Sequence, residues 1–95
     1  MMTDLLIDGM LSGTGVRDAD AGGYVALDDI GLSAQLVADI ANWQRKYEHA
    51  HFTGFPANVV ASLDEEGLVL ASRVQGELID KCIGYFSNGR MERLA

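Results

Sequence analysis

Leu32 to His51, LSAQLVADIANWQRKYEHAH, is the stretch whose reading decides the fold. Leu36, Ile40, Trp43 and Tyr47 recur at i, i+4, i+7 and i+11, the spacing of one face of a 3.6-residue helix. Ser33 precedes the first apolar residue as a candidate N-cap, its hydroxyl able to accept a bond from a free backbone N–H. Asp39, Arg45, Lys46 and Glu48 fall mostly off the stripe. The segment therefore predicts an amphipathic helix that presses the only tryptophan of the chain, with a tyrosine one turn on, against a small core.

Around it the elements are short. Leu5-Leu6-Ile7, between Asp4 and Asp8, predicts a first strand. The next fifteen residues, Gly9 to Gly23, hold five of the eleven glycines along with Asp, Ser and Thr, a composition that predicts a long loop. Tyr24 to Leu27 predicts a second strand, closed by Asp28-Asp29. After the helix, Gly54 and Pro56 mark a turn, and Ala57 to Ala61 is open between helix and turn. Ser62 with Glu65 forms an S-x-x-E capping box that predicts a second helix, with Asp64, Glu65 and Glu66 in its first turn at the positive end of the dipole. Its stripe is Leu63, Leu70, Ala71, Val74 and Leu78. Gly67 on that face costs about 1 kcal/mol against alanine, which points to close approach of another backbone. Lys81 to Ser87, KCIGYFS, predicts the strongest strand, stopped at Asn88-Gly89. Arg90 to Ala95 is read as a loose basic tail.

The order β-β-α-α-β gives an α+β fold: a two-layer sandwich of about three strands in a short mixed sheet, with both helices on one face. Ninety-five residues make a single domain, 1–95. Such a chain buries roughly 60–65% of its unfolded surface, so the core is modest.

The formal net charge is −7, from 14 acidic and 7 basic residues. That sign repels phosphate backbones, which argues against nucleic-acid binding and suits a soluble protein or one that docks on a basic partner. The single Cys82 rules out an internal disulfide or a CxxC motif. The first ten residues lack a basic stretch followed by a long apolar one, and no apolar run approaches a membrane span. A reducing cytoplasm is the expected location.

Motifs for chemistry fall short. Gly13-Thr14-Gly15 opens a GxG, but Asp18 stands where the third glycine belongs and no Lys-Ser or Lys-Thr follows. Asp18 and Asp20 occupy positions 1 and 3 of a calcium-like loop, with Gly23 at 6 and Asp29 at 12. Gly22 and Ala26 replace two of its ligands, so a solvated acidic turn is expected. His49 and His51 diverge by about 200° on a helix, and a zinc site would need Cys82 and a carboxylate from elsewhere. Cys82 has only Lys81 to activate it as a nucleophile. No catalytic residue, metal ligand or cofactor is assigned, and no enzyme is expected.

Taken together, GTGVRD (13–18), GGYVALDDIGLS (22–33), WQRKYEHAHF (43–52), LDEEGLVLASRVQGEL (63–78) and IGYFS (83–87) resemble small bacterial immunity proteins of polymorphic toxin systems, including those of contact-dependent inhibition. The resemblance spans Gly13 to Ser87. It implies an α/β immunity domain in the cytoplasm that binds a toxin domain delivered by a neighbouring cell, with no catalytic motif to carry over. Many such toxins are nucleases with basic clefts, which an acidic protein can block by fast, salt-sensitive association. The candidate partner-binding residues are then Asp18, Asp20, Asp28 and Asp29 on one side and Asp64, Glu65 and Glu66 on another, with Tyr24 and Phe55 as aromatic anchors. The alternatives are an adaptor that forms a homodimer by pairing KCIGYFS or another free edge strand, and a small metal-binding or enzymatic domain.

Overall fold

A computed structural model describes residues 3–95. Four strands form one mixed sheet in the order β2-β1-β3-β4: β1 is Leu5–Asp8, β2 Gly15–Asp18, β3 Ile83–Ser87 and β4 Glu92–Arg93. The helices α1 (Ala34–Phe52) and α2 (Ala57–Glu77) lie between β2 and β3 in the chain and pack together on one face. The central strands β1 and β3 are parallel, with Leu5 opposite Ile83 and Asp8 opposite Phe86. Parallel neighbours need a long crossover, and the helical hairpin supplies it. The expected α+β two-layer fold is what forms, with four strands in place of about three. No helix among the described residues is long and apolar enough to cross a membrane.

The core follows the helical stripes. Leu36, Ile40, Trp43 and Tyr47 of α1 are fully buried against Leu63, Leu70, Ala71 and Val74 of α2 and Leu5, Ile7, Val16 and Tyr85 of the sheet. Trp43 meets Tyr47 edge-on at 5.3 Å, and its indole N–H donates to the Leu63 carbonyl at 2.9 Å, so the one polar atom of the ring is satisfied. Ser33 caps α1 as expected, accepting from the Leu36 N–H, and Glu77 of α2 accepts in turn from the Ser33 N–H at 2.6 Å and hydroxyl at 2.7 Å. Gly54, at φ 77°, ends α1 with the Phe55 N–H bonded back to the Ala50 carbonyl at 3.0 Å, a Schellman-type close.

Five expectations are corrected. The second strand lies inside the glycine-rich loop, at Gly15–Asp18, and pairs antiparallel with β1. Tyr24 to Leu27 instead makes one bridge, Tyr24 to Arg17, and runs into a 3-10 turn at Leu27–Asp29. The physical reason is the side-chain clamp at Thr14, whose hydroxyl donates to the Val25 carbonyl at 2.6 Å and holds that segment along β2. The tail is not loose. Met91, at φ 54°, turns the chain into β4, and Leu94 donates to the Tyr85 carbonyl at 3.0 Å.

α2 begins at Ala57 with Pro56 in the N-cap position, so Ser62 and Glu65 sit within the helix and make no capping box. Nothing between Pro56 and Ser62 breaks a helix, and the proline φ of −55° suits a helix start. Gly67 does admit a close neighbour, but that neighbour is the Tyr85 ring and not a backbone. Finally, β3 lies between β1 and β4 and is an inner strand of the sheet, not the free edge strand expected of KCIGYFS.

Candidate functional site

Two carboxylates that look alike in sequence are taken inside at the C-terminal end of β1 and β3. Asp64, on the inner face of α2, is 3% exposed. It accepts from the hydroxyls of Tyr85 at 2.6 Å, Ser87 at 2.7 Å and Tyr47 at 2.9 Å, and Arg90 stands 3.6 Å away. Asp8 leaves β1 on the opposite face of the sheet and is 1% exposed. It accepts from Asn88 at 3.0 Å and Tyr24 at 3.1 Å, with the Arg17 guanidinium at 3.2 Å. Arg17 also lies over the Phe86 ring, 5.2 Å from its centre. A buried charge is tolerated when its lone pairs are met in this way.

Both networks grip one turn. Ser87 and Arg90 reach Asp64, Asn88 reaches Asp8, and the Gly89 N–H donates to the Tyr47 hydroxyl at 3.0 Å. Burial, reinforced by the hydrogen bond and charge of Asp64, pushes the Tyr85 phenol far above its ordinary range. Burial raises Tyr47 as well, against the opposing effects of its contact with the Ser87 hydroxyl and of the Gly89 N–H that donates to it. Burial and Asp8 do the same for Tyr24, with Arg17 opposing. These groups fix the end of the sheet.

The opposite end of the sheet carries the exposed acid. Thr3, Asp4, Leu5, Asp18, Asp20, Val25, Ile30 and Lys81 line a cleft of about 390 Å³. Leu5, Val25 and Ile30 give it apolar walls, Asp4, Asp18 and Asp20 its negative charge, and Lys81 its one cation. β1 begins here and β2 ends here, which is why Asp4 and Asp18, distant in sequence, meet. The Asp18 carboxylate accepts from the N–H groups of Asp20 and Ala21, both at 2.9 Å, and these bonds, Ala21 first, hold its pKa below the usual carboxylate value. The calcium-like loop is thus an Asx-type turn closing β2 onto Gly23. Among the described residues no group of three or more His, Cys, Asp and Glu is placed to hold a metal.

The expected partner-binding residues divide. Asp18 and Asp20 share the cleft, and Asp28 and Asp29 are exposed on the 3-10 turn just before its wall residue Ile30. Asp4 joins them and was not anticipated, although its place at the mouth of the first strand was a usable signal. Glu65 is exposed on α2, and Glu66 binds Lys46 at 2.8 Å across the helices. Asp64 is not on the surface, and Tyr24 is half-buried with its hydroxyl turned inward to Asp8. Phe55 is half-buried, edge-on to His51 at 4.6 Å. His51 contacts the Gly9 carbonyl at 3.1 Å while His49 faces outward, so the two imidazoles do diverge. Cys82 is half-buried, its N–H given to Asp4 at 2.7 Å. The chain matches no family model, no curated protein and no solved structure.

Proposed function

We propose that this chain is a non-catalytic binding protein that neutralises a basic protein partner, as immunity proteins of toxin systems do. The observation that supports it is the cleft at the start of β1, where Asp4, Asp18 and Asp20 stand over apolar walls with one opposing cation. That chemistry fits a lysine or arginine side chain: the aliphatic stem lies on Leu5, Val25 and Ile30, and the charged head meets the carboxylates. Asp28 and Asp29 extend the negative surface beside it. The overall charge of −7 steers a basic partner toward the protein before contact. Once docked, the protein acts by occupying the partner's basic cleft or the approach to it.

The experiment is co-expression with the product of the adjacent gene, followed by titration calorimetry at low and high salt. A complex that weakens with salt, and weakens again when Asp18 and Asp20 are both changed to Asn, is the expected result. No complex, or one indifferent to both changes, overturns the reading.

A further inference from the structure

A larger cleft than the acidic one lies elsewhere, in the groove between the two helices. α1 and α2 run antiparallel, bridged by Arg73 to Asp39 and by Lys46 to Glu66, both at 2.8 Å. Beyond the second bridge, toward the turn that joins them, the helices part around a groove of about 630 Å³, within the range of peptide and small-ligand sites. Its α1 wall carries Arg45, Lys46 and His49, and its α2 wall Asn58, Val59 and Glu66. Glu66 already holds Lys46. Arg45 gives one hydrogen bond, to Asn42 at 3.0 Å, and has no carboxylate within ion-pair distance among the described residues. The lining of the groove therefore carries a net positive charge on a protein whose overall charge is −7. α2 also enters it by its first turn, where no side chain caps the free N–H groups.

The rim is apolar. Phe52 continues the line of Arg45 and His49 along α1 and is 78% exposed, and Val59, which lines the groove from α2, is 37% exposed. Packing inside the protein gives no reason for a phenylalanine to stand so far in solvent. Exposed apolar side chains beside an unpaired guanidinium are the make-up of a recognition surface.

We propose that this groove is a second interaction surface, which takes an acidic segment of a protein partner. A carboxylate of the segment meets Arg45, an apolar side chain lies on Val59 with Phe52 exposed beyond it on α1, and Asn42 and Asn58 bond its backbone. The surface is separate from the acidic cleft and needs the opposite chemistry, so it stands or falls independently of the function proposed above.

The test uses a short fluorescein-labelled peptide of glutamates flanking one leucine and one phenylalanine, and its lysine-for-glutamate counterpart. Anisotropy and amide chemical shifts of the ¹⁵N-labelled protein are followed together. The acidic peptide is expected to bind and to shift amides within 42–49 and 58–63. Arg45→Glu, which breaks only a surface hydrogen bond, is expected to weaken binding about tenfold or more. Val59→Asp does likewise, and Asp80→Asn, at an exposed position outside both clefts, leaves binding intact. The proposal is overturned by no binding, by equal binding of the lysine peptide, by shifts confined to other surfaces, or by insensitivity to Arg45→Glu. Concentration-dependent shifts of the same amides without peptide would assign the groove to a second copy and overturn it too.

Discussion

Gly67→Ala sets two effects of known sign against each other. Gly67 lies in the middle of α2, where alanine is favoured over glycine by about 1 kcal/mol in an otherwise neutral setting. The structure reverses that expectation. A methyl group at position 67 would stand 2.7 Å from both Cζ and Oη of Tyr85, a fully buried ring whose hydroxyl is tied to Asp64 at 2.6 Å. Moving the ring away costs about 1–3 kcal/mol in displaced packing. Stretching a hydrogen bond to a charged group costs about 1.5–3 kcal/mol more. Against the propensity gain of about 1 kcal/mol, the net is a loss of about 1.5–5 kcal/mol, or roughly 6–40 °C in Tm for a domain of this size. Gly76→Ala is the internal control. It lies in the same helix with nothing near the added carbon, and it should raise stability by up to about 1 kcal/mol. Thermal and urea unfolding followed by circular dichroism measure both. A Gly67→Ala protein as stable as the wild type would refute the placement of Tyr85 and the packing derived from it.

Three further outcomes follow from the same end of the sheet and from the helix cap. Asp64→Asn keeps the shape but gives up the charge that three hydroxyls address, and should cost about 1–3 kcal/mol in urea unfolding; an unchanged midpoint would remove the network from the account. Tyr24, Tyr47 and Tyr85 are all raised above the ordinary phenol value near 10. A folded-state pKa above the unfolded one gives stability that is complete below about pH 10 and is lost as pH rises beyond it. Absorbance at the phenolate band should therefore stay low until the protein unfolds, then rise in one step, whereas a separate early rise would show an accessible tyrosine. Glu77 is depressed by its bonds from Ser33, so its contribution is present above the ordinary carboxylate pKa and fades as pH falls through the lower folded value. Ser33→Ala should raise the Glu77 midpoint seen by carbon NMR and cost about 1 kcal/mol through the lost N-cap.

Legibility in the sequence followed burial. The stripe Leu36, Ile40, Trp43, Tyr47 announced α1 because every member is buried on one face, and the aromatic run to Phe86 announced β3. β2 and β4 were not visible, since Gly-Val-Arg-Asp and Glu-Arg have little apolar content and become strands only by pairing with β1 and β3. Asp64 was hidden by its neighbours Glu65 and Glu66, three acids in a row that read as one solvated face. Starting α2 at Ala57 separates them: Val60, Asp64, Gly67, Ala71 and Val74 fall on one stripe, and only Asp64 of the three acids points inward. The acidic cleft was half legible. Asp18 and Asp20 stood out by composition, but Asp4 joins them only because β1 and β2 are antiparallel, a pairing that placed the second strand where glycines predicted a loop.

The most direct measurement for the proposed role is an amide chemical-shift titration of the ¹⁵N-labelled protein with the adjacent gene's product, run at low and high salt. The account predicts shifts concentrated at residues 4–5, 18–20, 25–30 and 81, diminished by salt and by the double change of Asp18 and Asp20 to Asn. Shifts confined to the outer faces of α1 and α2, or none at all at low salt, would contradict it.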